Sequence, residues 1–269
     1  NTFNNEYFTS SGTSFSAPNV TGTLALLQEL NKKLHGQFLK SATLKGLAIH
    51  TAHEAGAAIG PDYSFGWGVL NGVGAADMII QTNQTNRVMK EVVLKNGETY
   101  SFDIAPKAAT DVKVTICWTD LPGKPVEPQL DPQDLMLVND LDMRVTNATE
   151  EHLPWILNPT MPSEVATKGD NFRDNVEKIE FKADDSGKYT ITVGHKGTLV
   201  TGAQEFSIIV SYESDVVSTY YKVGNNSAWN NPENWSATSG GLPAGKIPGP
   251  KDIVILDDET FHQLSGTDN

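Results

Sequence analysis

The chain has 269 residues, 38% of them hydrophobic, and its 20 basic and 33 acidic residues give a net charge of −13. This length allows two domains, or three if one is small. The acidic balance argues against nucleic acid as a partner, because phosphate binding needs a basic face. No apolar run approaches the ~20 residues of a membrane span, and the single cysteine, Cys117, excludes an internal disulfide and lies in an apolar run that predicts a buried thiol.

Residues 1–86 are predicted to be mostly helical. The run from Val20 to Leu34 carries leucines at helical spacing and predicts a first helix with one buried stripe. A second amphipathic stretch covers Leu39 to Thr51, with Ser41 as its predicted N-cap. A third short helix is predicted over Val73 to Ile80, before a polar linker.

From residue 87 the pattern changes to short strands. Seven segments show period-two alternation or β-branched runs, and turn formers such as Lys95-Asn96-Gly97 separate them. Strands are predicted at 88–94, 98–104, 111–118, 141–146, 176–181, 187–193 and 205–210. Seven or eight short strands over about 125 residues predict an antiparallel sandwich or barrel.

The residues Gly12-Thr13-Ser14-Phe15-Ser16-Ala17-Pro18 stand at the start of the first helix. Ser14 would lie in the first turn, beside unpaired backbone N–H groups and the positive end of the helix dipole. This position suits a nucleophile whose reaction builds an oxyanion. Taken alone, however, a serine before an apolar run is more often a helix cap.

The seven residues together resemble the nucleophile motif of the subtilisin-like serine proteases, the subtilases. Pro18-Asn19-Val20-Thr21-Gly22 is similar to the Pro-His-Val-Ala-Gly start of the family's helix, with asparagine in place of histidine. Phe65-Gly66-Trp67-Gly68-Val69-Leu70-Asn71 resembles the segment that closes the protease domain. The resemblance therefore extends from residue 12 to about residue 76 of the sequence.

The resemblance implies that Ser14 attacks the peptide carbonyl, that its backbone N–H helps to bind the oxyanion, and that Gly12 and Thr13 shape the turn. The subtilase order is aspartate, histidine, serine. It implies that the other two triad members lie upstream of Asn1, so that this sequence is a fragment, inactive alone, of a secreted or cell-surface bacterial endopeptidase. The substrates implied are proteins or peptides.

A second resemblance covers residues 87–214. Leu137 to Asp142, Asp174 to Glu177 and Ser186 to Val193 are similar to the β domain that follows the catalytic domain in one branch of bacterial subtilases. That domain is related in architecture to the P domain of proprotein convertases, which implies a jelly-roll type of sandwich.

Acidic residues of this segment are candidate calcium ligands. Asp140 and Asp142 are two apart and face one side of a predicted strand, and Asp174 lies on a neighbouring loop. Carboxylates on one side repel each other unless they are solvated or bridged by a cation. Calcium prefers such oxygen ligands and is often held here in the related proteases; solvation is the alternative, since no defined calcium loop is present.

The predicted fold class is therefore multidomain. Residues 1–86 form the C-terminal helical part of an α/β subtilisin-type domain, residues 87–214 an all-β antiparallel sandwich, and residues 215–269 the start of a β-rich module. The last segment resembles the opening of repeats in secreted surface proteins and implies a cell-surface or glycan contact. In it, Trp229 and Trp235 form either a carbohydrate-stacking pair or part of a core.

Two other functions compete with the enzyme. One is a non-catalytic adhesion or glycan-binding protein whose protease domain is a relic. The other is a metal-dependent hydrolase that uses His50 and His53, but their spacing of three and the absence of further ligands nearby do not match a zinc helix. Surface or helix-end roles are expected for both histidines.

Overall fold

The computed structural model describes residues 9–82, 86–184, 187–214, 219–224, 228–236, 238–249 and 252–256. Within these ranges, three α-helices are followed by thirteen β-strands and one short 3-10 helix. Parts of the predicted linker at 81–86, of the turn at 184–187 and of the C-terminal module lie outside the described residues. None of the described helices is long and apolar enough to cross a membrane.

The helices lie close to their predicted positions: α1 is Thr13–His35, α2 is Ser41–Thr51 and α3 is Gly72–Gln81. Helix α1 ends at Gly36, whose left-handed conformation lets its N–H donate to the Lys32 carbonyl. The prediction that Ser41 caps α2 was wrong. Lys40 holds the cap position in an extended conformation, and the Ser41 hydroxyl instead lies 3.3 Å from the Thr119 hydroxyl.

Residues 87–212 form two four-stranded antiparallel sheets with strand orders β1-β10-β3-β8 and β2-β9-β4-β5. All seven predicted strands are present within a few residues, and three two-residue strands are additional. The strands are β1 Arg87–Lys95, β2 Tyr100–Ile104, β3 Asp111–Trp118, β4 Leu141–Thr146, β5 Glu151–His152, β6 Trp155–Ile156, β7 Thr167–Lys168, β8 Val176–Lys182, β9 Tyr189–His195 and β10 Ala203–Tyr212.

One hydrophobic core lies between the two sheets and draws side chains from both. On β4, for example, Leu141, Met143 and Val145 are fully buried, while Asp142 and Arg144 point the other way and are partly exposed. This alternation is the period-two pattern from which the strand was predicted. The β-rich character of the segment is confirmed, whereas the jelly-roll, P-domain-like topology stays a prediction.

The helices pack on the outer face of the first sheet. A second cluster joins Leu27 of α1, Leu47 of α2 and Met78 of α3 to Ile209 of β10. Helix α2 approaches the sheet closely at Gly46, where an added Cβ would lie 3.2 Å from both the Cys117 Cβ and the Ile209 Cδ1. The helical segment and the sheet therefore share buried side chains.

Cys117 is fully buried beneath α2, as predicted from its apolar neighbours. Burial raises the pKa of its thiol to about 11. Because the thiolate is the reactive form, this side chain acts as a small apolar residue and not as a nucleophile.

The C-terminal segment contains one three-stranded sheet, formed by β11 Thr219–Lys222, β12 Trp235–Ser236 and β13 Ile253–Ile255. A 3-10 helix, Pro232–Asn234, lies directly before β12. Trp235 is buried, and its indole N–H donates to the Trp229 carbonyl at 2.8 Å. Trp229 is 54% exposed, with its ring 4.7 Å from that of Trp235 in an edge arrangement. Only one of the two tryptophans is thus a core residue.

Candidate active site

Ser14 lies in the first turn of α1, where the sequence motif predicted it. Its side chain is exposed, and in the described part of the chain no hydrogen bond involves its hydroxyl. The first backbone bond of the helix runs from the Phe15 N–H to the Gly12 carbonyl at 3.0 Å. The N–H groups of the first turn otherwise have no partner within the helix, so they are free to bind an anion near the Ser14 hydroxyl.

Gly12 occupies the cap position with φ 157° and ψ 158°, a backbone region that is essentially restricted to glycine. A Cβ added here would lie 3.7 Å from the Phe15 ring, which is an ordinary contact. The glycine is therefore required for the turn and not for space. Thr13 is the first helical residue and is exposed beside it.

Packing against the rest of the chain fixes the direction of α1. Leu27 is buried, and a Cβ at Gly72, the first residue of α3, would lie 3.0 Å from the Thr23 methyl group. Pro18 lies inside the helix, and the hydroxyl of Thr21 donates to the Ala17 carbonyl one turn back at 3.0 Å. Phe15 near the start of α1 and Leu26 in its middle remain largely exposed.

No histidine is brought to Ser14 by a hydrogen bond in the described residues. His50 is buried at the end of α2, where its Nδ1 lies 2.9 Å from the Thr115 hydroxyl and its Nε2 lies 2.8 Å from the Ser211 hydroxyl. Of the surface or helix-end role expected for His50, the surface part was wrong: the residue lies in the last turn of α2, but its ring is buried and links the helix to the sheet. His53 is exposed, as expected for a helix-end residue.

Burial lowers the pKa of His50 well below its usual value, and the positive charges of Lys178, Lys113 and Arg87 act in the same direction. The imidazole is therefore neutral at physiological pH and holds its two hydroxyl partners by neutral hydrogen bonds. This arrangement is a structural one, because both ring nitrogens are already occupied.

The predicted acidic residues fall into two places. Asp140 and Asp142 flank Leu141 on one face of β4, and Asp170 joins them across the surface. The ammonium of Lys196 lies 3.8 Å from Asp140 and 3.7 Å from Asp142, and it forms a close ion pair with Asp170. Lys196 thus occupies the position between the carboxylates that a cation would take.

Asp174, the third predicted ligand, does not join this group through any contact in the described residues. Its carboxylate accepts from the Asn171 amide at 3.1 Å. Across the described ranges no three His, Cys, Asp or Glu side chains form a preformed metal site. Oδ1 of Asp140 is nevertheless buried without a hydrogen-bond partner among the described residues, whereas Oδ1 of Asp142 lies 2.6 Å from the Arg144 guanidinium.

Electrostatics in this acidic group follow from burial and from the nearby cations. Burial raises the pKa values of Asp140 and Asp142, whereas the hydrogen bond from Lys196 lowers that of Asp170. Glu177 of β8 is fully buried behind β4, where one of its oxygens accepts from the Met143 N–H at 2.7 Å. Burial raises the pKa of Glu177 well above its usual value, which favours the neutral carboxylic acid.

The sequence reasoning missed Lys196 and Glu177. The contacts of both depend on which strands are neighbours. In the register of β4 and β9, Asp142 is opposite Gly194, and this brings the start of the next loop, with Lys196, over the carboxylates. No local pattern signals that pairing.

Comparison with known proteins gives one family match. Residues 1–68 match the model of the subtilase family. This range contains the seven-residue motif around Ser14, residues 12–18. None of the curated proteins compared matches the chain.

Two solved structures show a weak likeness. A periplasmic inhibitor of g-type lysozyme, PliG from Aeromonas hydrophila, is 13% identical over 47% of this chain and 85% of that chain, with a TM-score of 0.25. A de novo designed double-stranded β-helix is 10% identical over 46% of this chain and 97% of that chain, with a TM-score of 0.21. At these scores neither likeness bears on fold or function. The family match supports a subtilase-related segment of serine-peptidase type over residues 1–68.

Proposed function

We propose that this chain carries the nucleophile of a secreted subtilisin-like endopeptidase, and that Ser14 is the acylated residue. The Ser14 oxygen would bond to the peptide carbonyl carbon while a histidine takes its proton. The N–H groups at the start of α1 would stabilise the resulting oxyanion. Collapse would break the C–N bond, the amine would leave with the proton from the histidine, and water would then release the acyl group.

The observation that carries this proposal is the exposed Ser14 hydroxyl in the first turn of α1, within the segment that matches the subtilase family. The glycine at the cap supports it, because Gly12 has no side chain to cap the helix and so leaves the first N–H groups of α1 without a side-chain partner beside the serine. A serine that served only as the N-cap would occupy position 12, where Gly12 stands, and not the second helical position.

The proposal places the other two triad members outside this sequence. In the subtilase order the aspartate and histidine precede the serine, and residues 1–13 contain neither. Both would therefore come from residues ahead of Asn1, together with the second oxyanion donor. Protein or peptide chains are the proposed substrates.

Labelling of the full-length protein with a fluorophosphonate probe tests the assignment. The probe should label Ser14, and Ser14→Ala should abolish labelling and proteolysis together. Ser16→Ala is the matched control, because Ser16 is an exposed serine two residues along the same helix and should leave both intact. Proteolysis retained by Ser14→Ala would refute the proposal and leave the adhesion hypothesis, in which the half-exposed Trp229 is the proposed glycan contact.

We further propose that Asp140 and Asp142 can bind calcium when Lys196 moves aside. The support is Oδ1 of Asp140, which is buried without a hydrogen-bond partner among the described residues. Oδ1 of Asp142 lies 2.6 Å from the Arg144 guanidinium, so calcium would also compete with that ion pair. Since Lys196 already balances these carboxylates, calcium would have to displace an ammonium group, and Asp174 would have to move toward the site to contribute. Millimolar calcium should therefore raise the melting temperature of the chain only slightly.

A further inference from the structure

Most of the connection between β3 and β4, residues 119–138, is held in one shape by contacts between its two ends and between its two sides. The carboxylate of Asp120 accepts from the N–H groups of Val138 at 2.6 Å and Asn139 at 3.0 Å. The limbs also touch at Gly123, where an added Cβ would lie 2.5 Å from the Met136 carbonyl oxygen. Connections of this length without secondary structure are uncommon in compact domains unless they have a function. We call residues 119–138 the β3–β4 loop.

Proline content stiffens this loop. It contains four prolines, at positions 122, 125, 128 and 132. Each proline fixes φ and reduces the conformational freedom that the loop would lose on binding a partner. Nearer the tip, the Gln129 amide donates to Asp134 at 3.1 Å. The loop is therefore preorganised.

Apolar side chains project from the loop into solvent. Leu130 is 91% exposed and Leu135 is 53% exposed, and Val126 and Met136 are also exposed. Several large apolar side chains on one short segment are unusual for a surface that contacts only water.

A second segment, residues 157–173, lies against the first; apart from the two-residue strand β7 it is irregular, and we call it the second loop. The guanidinium of Arg173 donates to the Gln133 carbonyl at 3.2 Å and thereby joins residues 157–173 to the β3–β4 loop. This second loop adds the exposed side chains of Met161, Val165 and Phe172. It also borders a cavity of about 330 Å³, whose lining includes Val165, Phe172 and Arg173.

The charge of this surface is negative. The β3–β4 loop contains four acidic residues and one lysine. Glu127, Asp131 and Asp134 of this loop, and Glu164 of the second loop, are exposed and form no ion pair within the described residues. Apolar side chains with unpaired carboxylates between them are complementary to a partner with the opposite charge and the same apolar content.

We propose that the β3–β4 loop and the adjoining 157–173 loop form a docking surface for an extended polypeptide that carries both apolar and basic side chains. The apolar side chains of the polypeptide would pack on Leu130 and Leu135 and enter the cavity beside Phe172, and its lysines or arginines would pair with the loop carboxylates. The further inference that this polypeptide is a substrate, held away from the Ser14 site, rests on the proposed peptidase function. The binding itself does not depend on Ser14.

Binding of two fluorescent peptides to the 269-residue chain tests the proposal by anisotropy. One peptide carries leucine and lysine among glycine and serine, and the other has glutamate in place of each lysine. The lysine peptide should bind and weaken as salt rises, and the glutamate peptide should not bind. Leu130→Ser should weaken binding by about tenfold, since it removes one apolar anchor from the surface.

Leu242→Ser is the matched control, because Leu242 is 89% exposed on the C-terminal segment and should leave the affinity unchanged. Any of three results would overturn the proposal. They are an equal loss of peptide affinity in both variants, equal binding of the two peptides, and self-association of the chain that Leu130→Ser abolishes. Ser14→Ala should bind the lysine peptide as the parent does. Failure of Ser14 labelling and failure of this docking surface are therefore separate results.

Discussion

Replacement of His50 by leucine tests whether the buried imidazole holds the helical segment on the sheet. The ring is 1% exposed and contacts the Thr115 hydroxyl from one nitrogen and the Ser211 hydroxyl from the other. Leucine has a similar volume but neither donor nor acceptor, so both hydroxyls lose a partner. His53→Leu is the matched control, because its side chain is exposed three residues further along.

The expected loss at pH 7.5 follows from the burial of the two hydroxyls. Thr115 is fully buried, and a buried hydroxyl without a partner costs about 1–3 kcal/mol. Ser211 is partly exposed, so water can replace part of its lost bond, and its share is about 1 kcal/mol. His50→Leu should therefore lower the free energy of unfolding by about 2–4 kcal/mol, and His53→Leu should change it little.

Acid should reduce the difference in unfolding free energy between the parent and His50→Leu. The pKa of His50 is well below the usual 6.5 in the folded chain, because burial and the charges of Lys178, Lys113 and Arg87 disfavour the imidazolium. Below pH 6.5 the unfolded chain binds a proton at His50 that the folded chain does not, so stability falls with falling pH. At pH 5 this protonation therefore costs the parent some stability, a cost that the leucine variant does not have.

Urea unfolding of the parent and the two variants, followed by tryptophan fluorescence at pH 7.5 and pH 5, measures both effects. The difference in unfolding free energy between the parent and His50→Leu should be smaller at pH 5 than at pH 7.5. Asp140, Asp142 and Glu177 have raised pKa values and so favour the folded state at low pH, but they are present in all three proteins and cancel in the difference. A gap that is equal at both pH values would refute the assignment of a neutral, structural His50.

Two further predictions concern calcium and a backbone turn. Lys196→Met removes one of two competing cations and leaves Arg144 paired with Asp142, so calcium should raise the melting temperature of this variant more than that of the parent. Asp140→Asn should cancel the gain, and the absence of a calcium effect on both the parent and Lys196→Met would exclude the site. Gly68 has φ 105°, and a Cβ there would lie 2.0 Å from the His53 carbonyl oxygen, whereas Gly66 has φ 60° and open space around it. Gly68→Ala should therefore cost about 3 kcal/mol or more and Gly66→Ala about 1 kcal/mol in urea unfolding, and equal losses would contradict this reading.

Most of the secondary structure could be predicted because it depends on local periodicity. The alternation of Leu141, Met143 and Val145 on β4 is visible in the sequence and corresponds to buried side chains in the structure. The helical spacing of the α1 leucines predicted that helix correctly, but of its predicted buried stripe only Leu27 is buried, and Leu34 is 48% exposed. Ser14 could be placed in the first turn of α1 because its motif stands directly before the apolar run of that helix.

Contacts between distant segments could not be predicted in the same way. His50 reaches Thr115 and Ser211, which lie 65 and 161 residues further along the chain, so its burial depends on how α2 crosses the sheet. Lys196 reaches the carboxylates of β4 only through the pairing of β4 with β9. The prolines and apolar residues of the β3–β4 loop are visible in the sequence. The hydrogen bond by which the Asp120 carboxylate joins the two ends of the loop could not be predicted from it.

The position of Ile209 among the leucines of α1 and α2 affects how this protein can be divided. Cutting the polypeptide after residue 86 would separate the helices from the strand that completes their interior, and it would uncover Cys117 on the remaining sheet. Recombination or truncation at that point should therefore yield two insoluble halves, although it severs a single peptide bond. We therefore expect the helices and the first sheet to behave as one folding unit.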